Sequence, residues 1–591
     1  MFGFVRARRA MAAQRGGRSL ARSSFVVAAA LCVFACASPQ PSGAPRNAGP
    51  SAASTGSPSS RVLRIGIQRE PPTVALRPFQ ETFASQYVAT RTFNADISIV
   101  DDNAQPHPYL VDALPQLNTD SWQVFPDGRM DTTYHLRPNL TWHDGTHLTA
   151  EDFVFGWKVY TAPNMAQSHG PPYAAIADVT APDDRTFVIH WSTPYPDAGH
   201  LSGRDQQFPA LPRHLLQREF ESDATDAFFA LSYWTRDYVG LGPYKMINWE
   251  PGAYIEASAF AGHSGGPPKV SKVRITFIGD RNTALANALG GDVDILADNV
   301  IQFGDALTLR REWEPRQGGT VVWTFGTWRG IDIQHRPTFV RPQALLDLQV
   351  RKALIQAVDR QGINDAIYEG VALMADYVVP PLGQFGDAAK NGSVKYPFDP
   401  RQSEQLMNAA GYVKGPDGFF TSPAGGRFTV EMKTSSGPDN EQELAAIADA
   451  WRNTGFDITQ AVVPVAQTQN LEVRAGYSGM YLLSTPGGDR TAASYTADNV
   501  PLPENNWRGS NRSGWSNDEY TQLAKQFQST LDVRERLQQL TQMARIFTED
   551  VASISLYFRP QVWAFTSDVR GGGTAPPETD PAWNMPDWEI R

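Results

Sequence analysis

The chain has 591 residues, of which 41% are hydrophobic and 19% are charged, a composition typical of a globular protein with two or three domains. Its formal net charge of −10 argues against a nucleic-acid partner, which would require clustered Lys and Arg. Both cysteines, Cys32 and Cys36, lie near the N-terminus. We therefore expect no disulfide, no thiol nucleophile and no cysteine-based metal site in the folded body.

Residues 1–35 have the organisation of a secretory signal peptide. An arginine-rich segment precedes the apolar stretch FVVAAALCVFA at 25–35, which is too short to cross a membrane comfortably. The junction VFAC at 33–36 resembles a bacterial lipobox, and this resemblance makes Cys36 the lipidated first residue of the mature protein. A plain signal peptide cleaved near Ala37 is the alternative, and export is expected in both cases.

Residues 36–60 are predicted to be a lipidated Cys followed by a flexible linker. The segment consists mainly of Ser, Pro, Gly and Ala, and such a composition cannot bury a core. A lipid anchor with this linker would hold the folded body close to a membrane surface. The expected location is extracytoplasmic, anchored to the cell membrane, in the periplasm or at the cell surface.

The folded body is predicted to begin at residue 61 and to mix strands with helices. Strands are predicted at 61–70, 273–279 and 427–433. Helices are predicted at 345–363, 398–412 and 516–528, with N-terminal caps at Asp347, at Asp399 and at the pair Ser516 and Glu519, respectively. This alternation favours α/β lobes.

The stretch TWHDGTHLTAEDFVFGWK at 141–158 contains two histidines and three carboxylates. Asp144-Gly145 is a turn dipeptide, and Thr149 with Asp152 has the spacing of a capping box before a helix. A metal site at His143, Asp144 and His147 is the alternative. The structural interpretation is favoured, because the acids already have local roles and HExxH spacing is absent.

The longer stretch TYHLRPNLTWHDGTHLTAEDFVFGWK resembles the signature of family 5 extracellular solute-binding proteins, the peptide-, dipeptide- and nickel-binding lipoproteins of bacterial ABC importers. Further segments resemble the family in the same order along the chain: GLGPYKMINWEPG (240–252), GDVDIL (291–296), VRKALIQAVDRQGI (350–363) and RERLQQLTQMARIFTEDVASISLY (534–557). Because several blocks occur in order, the resemblance is specific.

The resemblance implies an α/β fold of the two-lobed periplasmic-binding-protein kind, type II-like, with a two-strand hinge and an inserted extra domain. The implied division places lobe one at 61–103 and 236–320, the inserted domain at 104–235, lobe two at 321–554, and a return to lobe one with a C-terminal tail at 555–591.

The resemblance also implies a function. The protein would be the substrate-binding lipoprotein of an ABC importer, which captures a small organic solute, foremost an oligopeptide, between its lobes and delivers it to a permease and ATPase complex. It would act as a monomer without cofactor, metal or catalysis, and the chain has no GxSxG, P-loop or HExxH motif. The alternative is a sensor or adhesin with the same fold that is not coupled to transport.

Five residues are candidate ligand contacts. Glu70 follows the first strand and matches a family position near bound ligand. Trp323, Trp328 and Arg329 lie near the expected hinge, where the rings could stack on a ligand and the guanidinium could pair with a carboxylate. For each tryptophan the alternative is a core position. Asp489 is a candidate for the family's amine-binding aspartate, but the usual Trp-x-x-Asp-Tyr is absent from 478–495, which leaves peptide binding open.

Overall fold

The computed structural model describes residues 59–77, 87–162, 170–202, 206–222, 225–573 and 581–591. These residues all belong to one unit, Pro58–Arg591. The predicted signal peptide, Cys36 and nearly all of the linker lie outside the described residues. The first strand begins at Ser59, two residues before the predicted start of the body.

Helices are distributed along the whole described chain. They are α1 (Tyr87–Phe93), α2 (Ala150–Thr161), α3 (Arg213–Glu221), α4 (Thr225–Phe229), α5 (Arg281–Gly290), α6 (Phe303–Trp313), α7 (Leu348–Gln356), α8 (Arg360–Tyr368), α9 (Gly383–Gly392), α10 (Pro400–Ala409), α11 (Pro438–Thr454), α12 (Leu471–Ala475), α13 (Asp489–Ala493), α14 (Asp518–Phe527) and α15 (Val533–Glu549). Among the described residues, no helix has the length and apolar character needed to cross a membrane.

Strands alternate with these helices. They are β1 (Ser59–Ile67), β2 (Ser98–Val100), β3 (Pro106–Pro108), β4 (Trp122–Val124), β5 (Met130–His135), β6 (Ile176–Asp183), β7 (Thr186–Trp191), β8 (Tyr244–Glu250), β9 (Tyr254–Ala259), β10 (Val270–Phe277), β11 (Ile295–Leu296), β12 (Gly319–Ile333), β13 (Leu373–Met374), β14 (Val413–Lys414), β15 (Phe420–Thr421), β16 (Thr429–Ser435), β17 (Asp457–Val463), β18 (Met480–Pro486), β19 (Ser553–Thr566), β20 (Val569–Arg570) and β21 (Glu589–Ile590).

The main sheet has 11 strands in the order β17-β16-β18-β12-β19-β11-β1-β10-β9-β8, with β13 added beside β19. A separate four-stranded sheet has the order β4-β5-β7-β6. Pairing is parallel where β1 meets β10 and β11, and where β16 meets β17 and β18. The long central strands β12 and β19 are antiparallel to each other.

Two bodies lie on either side of these central strands, each with its own buried side chains. One core draws on 63–297 and 563–590 and includes the four-stranded sheet. Two further cores draw on 303–558. We use lobe one for β1 and β8–β11 taken together with the four-stranded sheet, which lies in the predicted inserted domain, and lobe two for β16–β18 with α7–α15. The residue ranges predicted for the domains stay a prediction.

The central strand pair passes from one lobe to the other through a β-bulge. Thr324 is paired with Gln561, whereas Thr327 is paired with Arg559, so two residues of β12 oppose the single residue Pro560. On one side of the bulge β19 pairs with β11 of lobe one, and on the other side β12 pairs with β18 of lobe two. Because Pro560 has no N–H to donate, the hydrogen-bonded ladder is interrupted at this point.

Two of the predicted helices differ from expectation at a boundary. The predicted helix over 345–363 is two helices, because the Asp359 carboxylate accepts the Gly362 N–H at 2.9 Å and starts α8. The N-cap of α14 is Asn517, which accepts the Tyr520 N–H at 3.0 Å, and not the predicted Ser516.

The other predicted caps are confirmed. Asp347 caps α7 through the Gln349 N–H at 2.8 Å, and Asp399 caps α10 with Pro400 at the first helical position. Such a cap satisfies N–H groups that have no partner inside their own helix.

Candidate functional site

The carboxyl ends of three lobe-one strands form one edge of the sheet. β1 and β10 are parallel, and β9 is antiparallel to both β10 and β8, so β1, β8 and β10 run in the same direction. In α/β proteins such an edge is the usual place for a ligand. A pocket of about 340 Å³ lies here and is lined by residues 70–72 and 235–236, Trp249 and Pro251.

Glu70 is held in this pocket by two donors from its own lobe. Trp249 Nε1 donates to Glu70 Oε1 at 2.7 Å, and the Gly252 N–H donates to Glu70 Oε2 at 2.9 Å. The side chain is exposed, and each carboxylate oxygen can accept more than one hydrogen bond. The pocket therefore presents an oriented anionic acceptor beside an indole ring and the Arg236 side chain. The role of Glu70 as a ligand contact stays a prediction.

The predicted contacts from β12 are more buried than Glu70. Trp323 is half-buried, and its ring centroid lies 5.1 Å from that of Phe303. Trp328 is fully buried in a lobe-two core, as the alternative interpretation of a core tryptophan describes. Arg329 is also buried, with 1% of its surface exposed. None of these three side chains lines the pocket beside Glu70, and their roles as ligand contacts stay predictions.

Arg329 forms a buried ion pair with Glu443 of α11, and the two charged groups lie 2.6 Å apart. The other oxygen of Glu443 accepts from the hydroxyls of Tyr368 and Tyr557 at 2.7 and 2.9 Å. Burial of the Glu443 carboxyl favours its neutral form, but Arg329, Arg559 and the two hydroxyls outweigh burial and lower its pKa. This pair anchors β12 to α11 on the lobe-two side of the bulge.

The carboxyl edges of the two lobes come together beside this network. Arg281, at the start of α5 in the chain after β10, lies 3.9 Å from Asp439 in the first turn of α11. Asp439 also lies 3.7 Å from Arg559 of β19, close to the bulge. Charged side chains of both lobes and of the linking strands therefore meet at one place.

A second group of charges also joins the lobes, and it includes the predicted site residue Asp489. We call Asp197, Asp489, Arg490 and Arg536 the cross-lobe cluster. Asp489 Oδ2 lies 3.0 Å from Arg536 Nη2, and Asp197 Oδ2 lies 3.0 Å from Arg490 Nη2. Burial raises the pKa of the Asp489 carboxyl, as does the nearby Asp197, while the two guanidinium groups oppose this shift. In this arrangement Asp489 already has a cationic partner, so an amine-binding role stays a prediction.

The buried histidine and the acid of the 141–158 motif already have hydrogen-bond partners within the fold. His143 is buried, its Nε2 lies 3.0 Å from the Gly242 carbonyl, and its Nδ1 accepts the Gly240 N–H at 3.2 Å. Burial lowers the pKa of His143 to about 4, which keeps the ring neutral. The Asp152 carboxylate accepts the Thr149 N–H at 2.9 Å, as the capping prediction requires. Within the described ranges, no group of three or more His, Cys, Asp or Glu side chains is placed to hold a metal ion.

Sequence reasoning missed most of the charged residues that connect the lobes. Asp197 and Arg490 are separated by 293 positions, and no local pattern predicts their contact. The sequence signal at Glu443 is only its position next to the apolar Leu444, and the structure shows that both are fully or almost fully buried. An acid beside the apolar face of a helix indicates a buried partner, because an unpaired buried charge is too costly to retain.

The structure has two α/β lobes with separate cores, which are joined by a bulged strand pair and meet through charged side chains. This arrangement is that of a two-lobed solute-binding protein. Within this class, the chain belongs to the family of bacterial extracellular solute-binding proteins, family 5. The family model, described as "Bacterial extracellular solute-binding proteins, family 5 Middle", matches residues 113–500. The resemblance inferred from the sequence motifs is thereby confirmed.

Similar proteins include transport-associated binding proteins. The chain is 22% identical to oligopeptide-binding protein AppA of Bacillus subtilis over 453 residues, which are 75% of this chain and 78% of that protein. It is 26% identical to a putative ABC transporter peptide-binding protein of Brucella ovis over 298 residues, which are 50% of this chain and 51% of that protein. The match thus spans about half the length of the Brucella relative.

Solved structures share the fold. NikZ from Campylobacter jejuni, in complex with Ni(L-His), superposes with a TM-score of 0.70 at 20% identity and covers 89% of this chain and 99% of its own. The oligopeptide-binding protein from Thermus thermophilus, complexed with a pentapeptide, gives a TM-score of 0.68 at 23% identity and covers 90% of this chain and 97% of its own. The predicted two-lobed α/β class is confirmed.

Proposed function

We propose that this protein is the extracytoplasmic substrate-binding component of an ABC importer and that it captures a small organic solute between its lobes. The observation that carries the proposal is the family match over 113–500, on a chain whose two separately cored lobes meet at charged edges. Binding would shift an open–closed equilibrium without any covalent step. The solute would then be delivered to a membrane permease and its ATPase.

An oligopeptide is the first choice of ligand. Support comes from AppA, which is named for oligopeptide binding, and from the mixture of charge and aromatic surface at the lobe edges. Glu70 would accept from a ligand amine, and Trp323, Trp328 and Arg329 would contact or brace the ligand from the β12 side. Asp489 is proposed to contact a ligand amine through the lone pairs that its pair with Arg536 leaves free.

The remaining features concern location and assembly. Cys36 would carry the lipid, residues 36–60 would link the anchor to the body, and the protein would work as a monomer without enzymatic activity. The domain division predicted from the sequence is retained as part of this proposal. A sensor or adhesin with the same fold is the competing function.

The decisive experiment is a titration followed by intrinsic tryptophan fluorescence, for which the chain has 15 Trp residues. The probes are an equimolar pool of tri- to pentapeptides, the same pool with acetylated N-termini, and nickel with L-histidine. We expect saturable binding of the free pool, compaction measured by small-angle X-ray scattering, and recovery of the peptides intact.

The Glu70→Gln variant should weaken binding of the free pool by about 5- to 150-fold, because a neutral amide replaces the oriented carboxylate. The control is Asp417→Asn on the lobe-two surface, which should leave binding unchanged. Binding of nickel–histidine alone, or cleavage of the peptides, would contradict the proposed ligand or mechanism. Vesicles that contain the permease and ATPase encoded beside this protein should take up the bound peptide only when this protein is present. This result would distinguish transport from sensing.

A further inference from the structure

The cross-lobe cluster is assembled from two separate cores. Asp197 lies between Tyr195 and Ala198, both of which are buried in the core of lobe one. The lobe-two members lie at the start of α13 and on α15, and both helices bury side chains in a lobe-two core. The cluster is therefore broken whenever the two lobes separate in this region.

Each half of the cluster is held in place by its own lobe. On the lobe-one side, Gln206 Nε2 donates to Asp197 Oδ2 at 2.7 Å. On the lobe-two side, the Arg536 guanidinium lies 4.5 Å from the ring centroid of Phe527 and 3.0 Å from Asp489. Because these contacts lie within one lobe, they persist when the lobes move apart, and the charged groups remain positioned to meet again.

The contacts between the halves are the ones that depend on closure. Asp197 Oδ2 lies 3.0 Å from Arg490 Nη2, and Asp197 Oδ1 lies 3.7 Å from Arg536 Nη1. The Tyr195 hydroxyl adds a contact of 3.1 Å to Arg490 Nη2. Side-chain exposure is 18% for Asp197, 9% for Arg536 and 34% for Arg490, so solvent screens the Arg536 side of this junction less than an open surface pair.

Another contact between the lobe edges is weaker. Arg281 and Asp439 lie 3.9 Å apart, and their side chains are 35% and 36% exposed. Exposed pairs at this distance contribute little free energy. Asp197, which faces two guanidinium groups in a more shielded place, is the stronger link.

We propose that Asp197 is a latch that docks between Arg490 and Arg536 and shifts the open–closed equilibrium toward the closed form without requiring a ligand. Removing its charge leaves the partly buried Arg490 facing a neutral amide, whereas Arg536 keeps Asp489, so the closed form loses stability and the open form does not. A change of this kind raises the open-to-closed ratio by about 5- to 30-fold.

The experiment is single-molecule energy transfer in the ligand-free chain. The dyes are placed at Ile247→Cys on β8 and Val465→Cys just after β17, which are 51% and 71% exposed and lie at opposite ends of the main sheet. Cys32 and Cys36, the two native cysteines, are replaced by Ser. We expect Asp197→Asn to raise the ratio of open to closed molecules by about 5- to 30-fold.

Three further variants make the result specific. Arg490→Gln should shift the ratio in the same direction, and combining it with Asp197→Asn should add little, because both remove one interaction. Asp417→Asn removes a carboxylate that pairs with Arg427 within lobe two and should leave the ratio unchanged. An unchanged ratio in both Asp197→Asn and Arg490→Gln, or an equal shift in Asp417→Asn, overturns the proposal. Since no ligand is added, this result does not depend on whether the proposed ligand is correct.

Discussion

The buried pair of Arg329 and Glu443 gives a prediction whose size follows from the contacts. The two side chains are 2% and 0% exposed and their charged groups lie 2.6 Å apart. Glu443→Gln keeps the shape of the side chain but leaves the guanidinium buried without a carboxylate. The remaining hydrogen bonds of Arg329 are long: its Nη1 donates to Ser484 Oγ at 3.3 Å and to the Leu482 carbonyl at 3.5 Å.

We expect Glu443→Gln to lower the free energy of unfolding by about 4 kcal/mol, because breaking a buried pair leaves an uncompensated charge. Arg329→Met should cost about 3 kcal/mol, since Glu443 keeps the hydroxyls of Tyr368 and Tyr557 on its other oxygen. The double variant leaves no orphaned charge at this pair, because Arg559, which also faces Glu443, keeps Asp439 at 3.7 Å. It should therefore cost less than the sum of the single variants by about 2 kcal/mol.

The assay is urea unfolding followed by tryptophan fluorescence at pH 7, analysed as a double-mutant cycle. The matched control is Asp449→Asn, which removes the exposed Arg452 pair at 2.8 Å on the same helix, α11. This control should change the free energy of unfolding by at most about 0.5 kcal/mol. Single variants that both stay within about 1 kcal/mol of the unmodified protein, or a cycle without coupling, would refute the reasoning.

Three further outcomes are expected. Cys36→Ser should move the protein from the membrane fraction to the soluble fraction, and retention of unlipidated protein in the membrane fraction would contradict the anchor. Replacing His143 and His147 together with Gln should leave the affinity for the peptide pool unchanged, and stoichiometric zinc lost in that variant would contradict the structural interpretation. Burial lowers the pKa of both His143 and His263 from 6.5 to about 4, so the unfolded chain binds protons first as the pH falls. Each neutral ring contributes stability above pH 6.5, and about 3 kcal/mol of it per ring is lost as the pH falls from 6.5 to 4. Denaturation at a series of pH values measures this loss, and an equal loss in His263→Gln and the unmodified protein would refute the prediction.

Local features of the fold were predictable because they depend on neighbouring residues. Asp144 and Gly145 form the expected turn, with Gly145 at a φ of 92° and the Gly145 N–H donating to the Trp142 carbonyl at 2.9 Å. The reciprocal contact from Asp152 back to the Thr149 N–H was likewise readable from spacing. The partners in these interactions are only a few residues apart in the chain, so tertiary packing rarely changes them.

The break in the predicted helix over 345–363 is also local, but the apolar periodicity concealed it. The apolar face of 345–363 continues through Ala357 and Val358, both of which are buried, so periodicity gave no sign that the helix ends at Gln356. The break comes from Asp359, whose carboxylate caps α8. Of the predicted ligand contacts, Glu70 lines a pocket, because its position at the end of β1 follows from strand direction alone.

The arrangement of charges around the bulge explains how rigid lobes and a localised bend can coexist. On the lobe-two side, Arg329 lies two residues past Thr327 and ties β12 to α11, which resists separation of the strand from the lobe. At the bulge itself, Pro560 cannot donate to the ladder, and Phe325 and Gly326 both oppose it. The register of β12 against β19 shifts again between Arg329 and Gly330, but Arg329 is fixed there by Glu443, so bending is least costly between Thr324 and Thr327. Because the cross-lobe cluster is built on α13 and α15 rather than on β12, a small rotation at the bulge is sufficient to break the Asp197 contacts while leaving the buried pair of Arg329 and Glu443 intact.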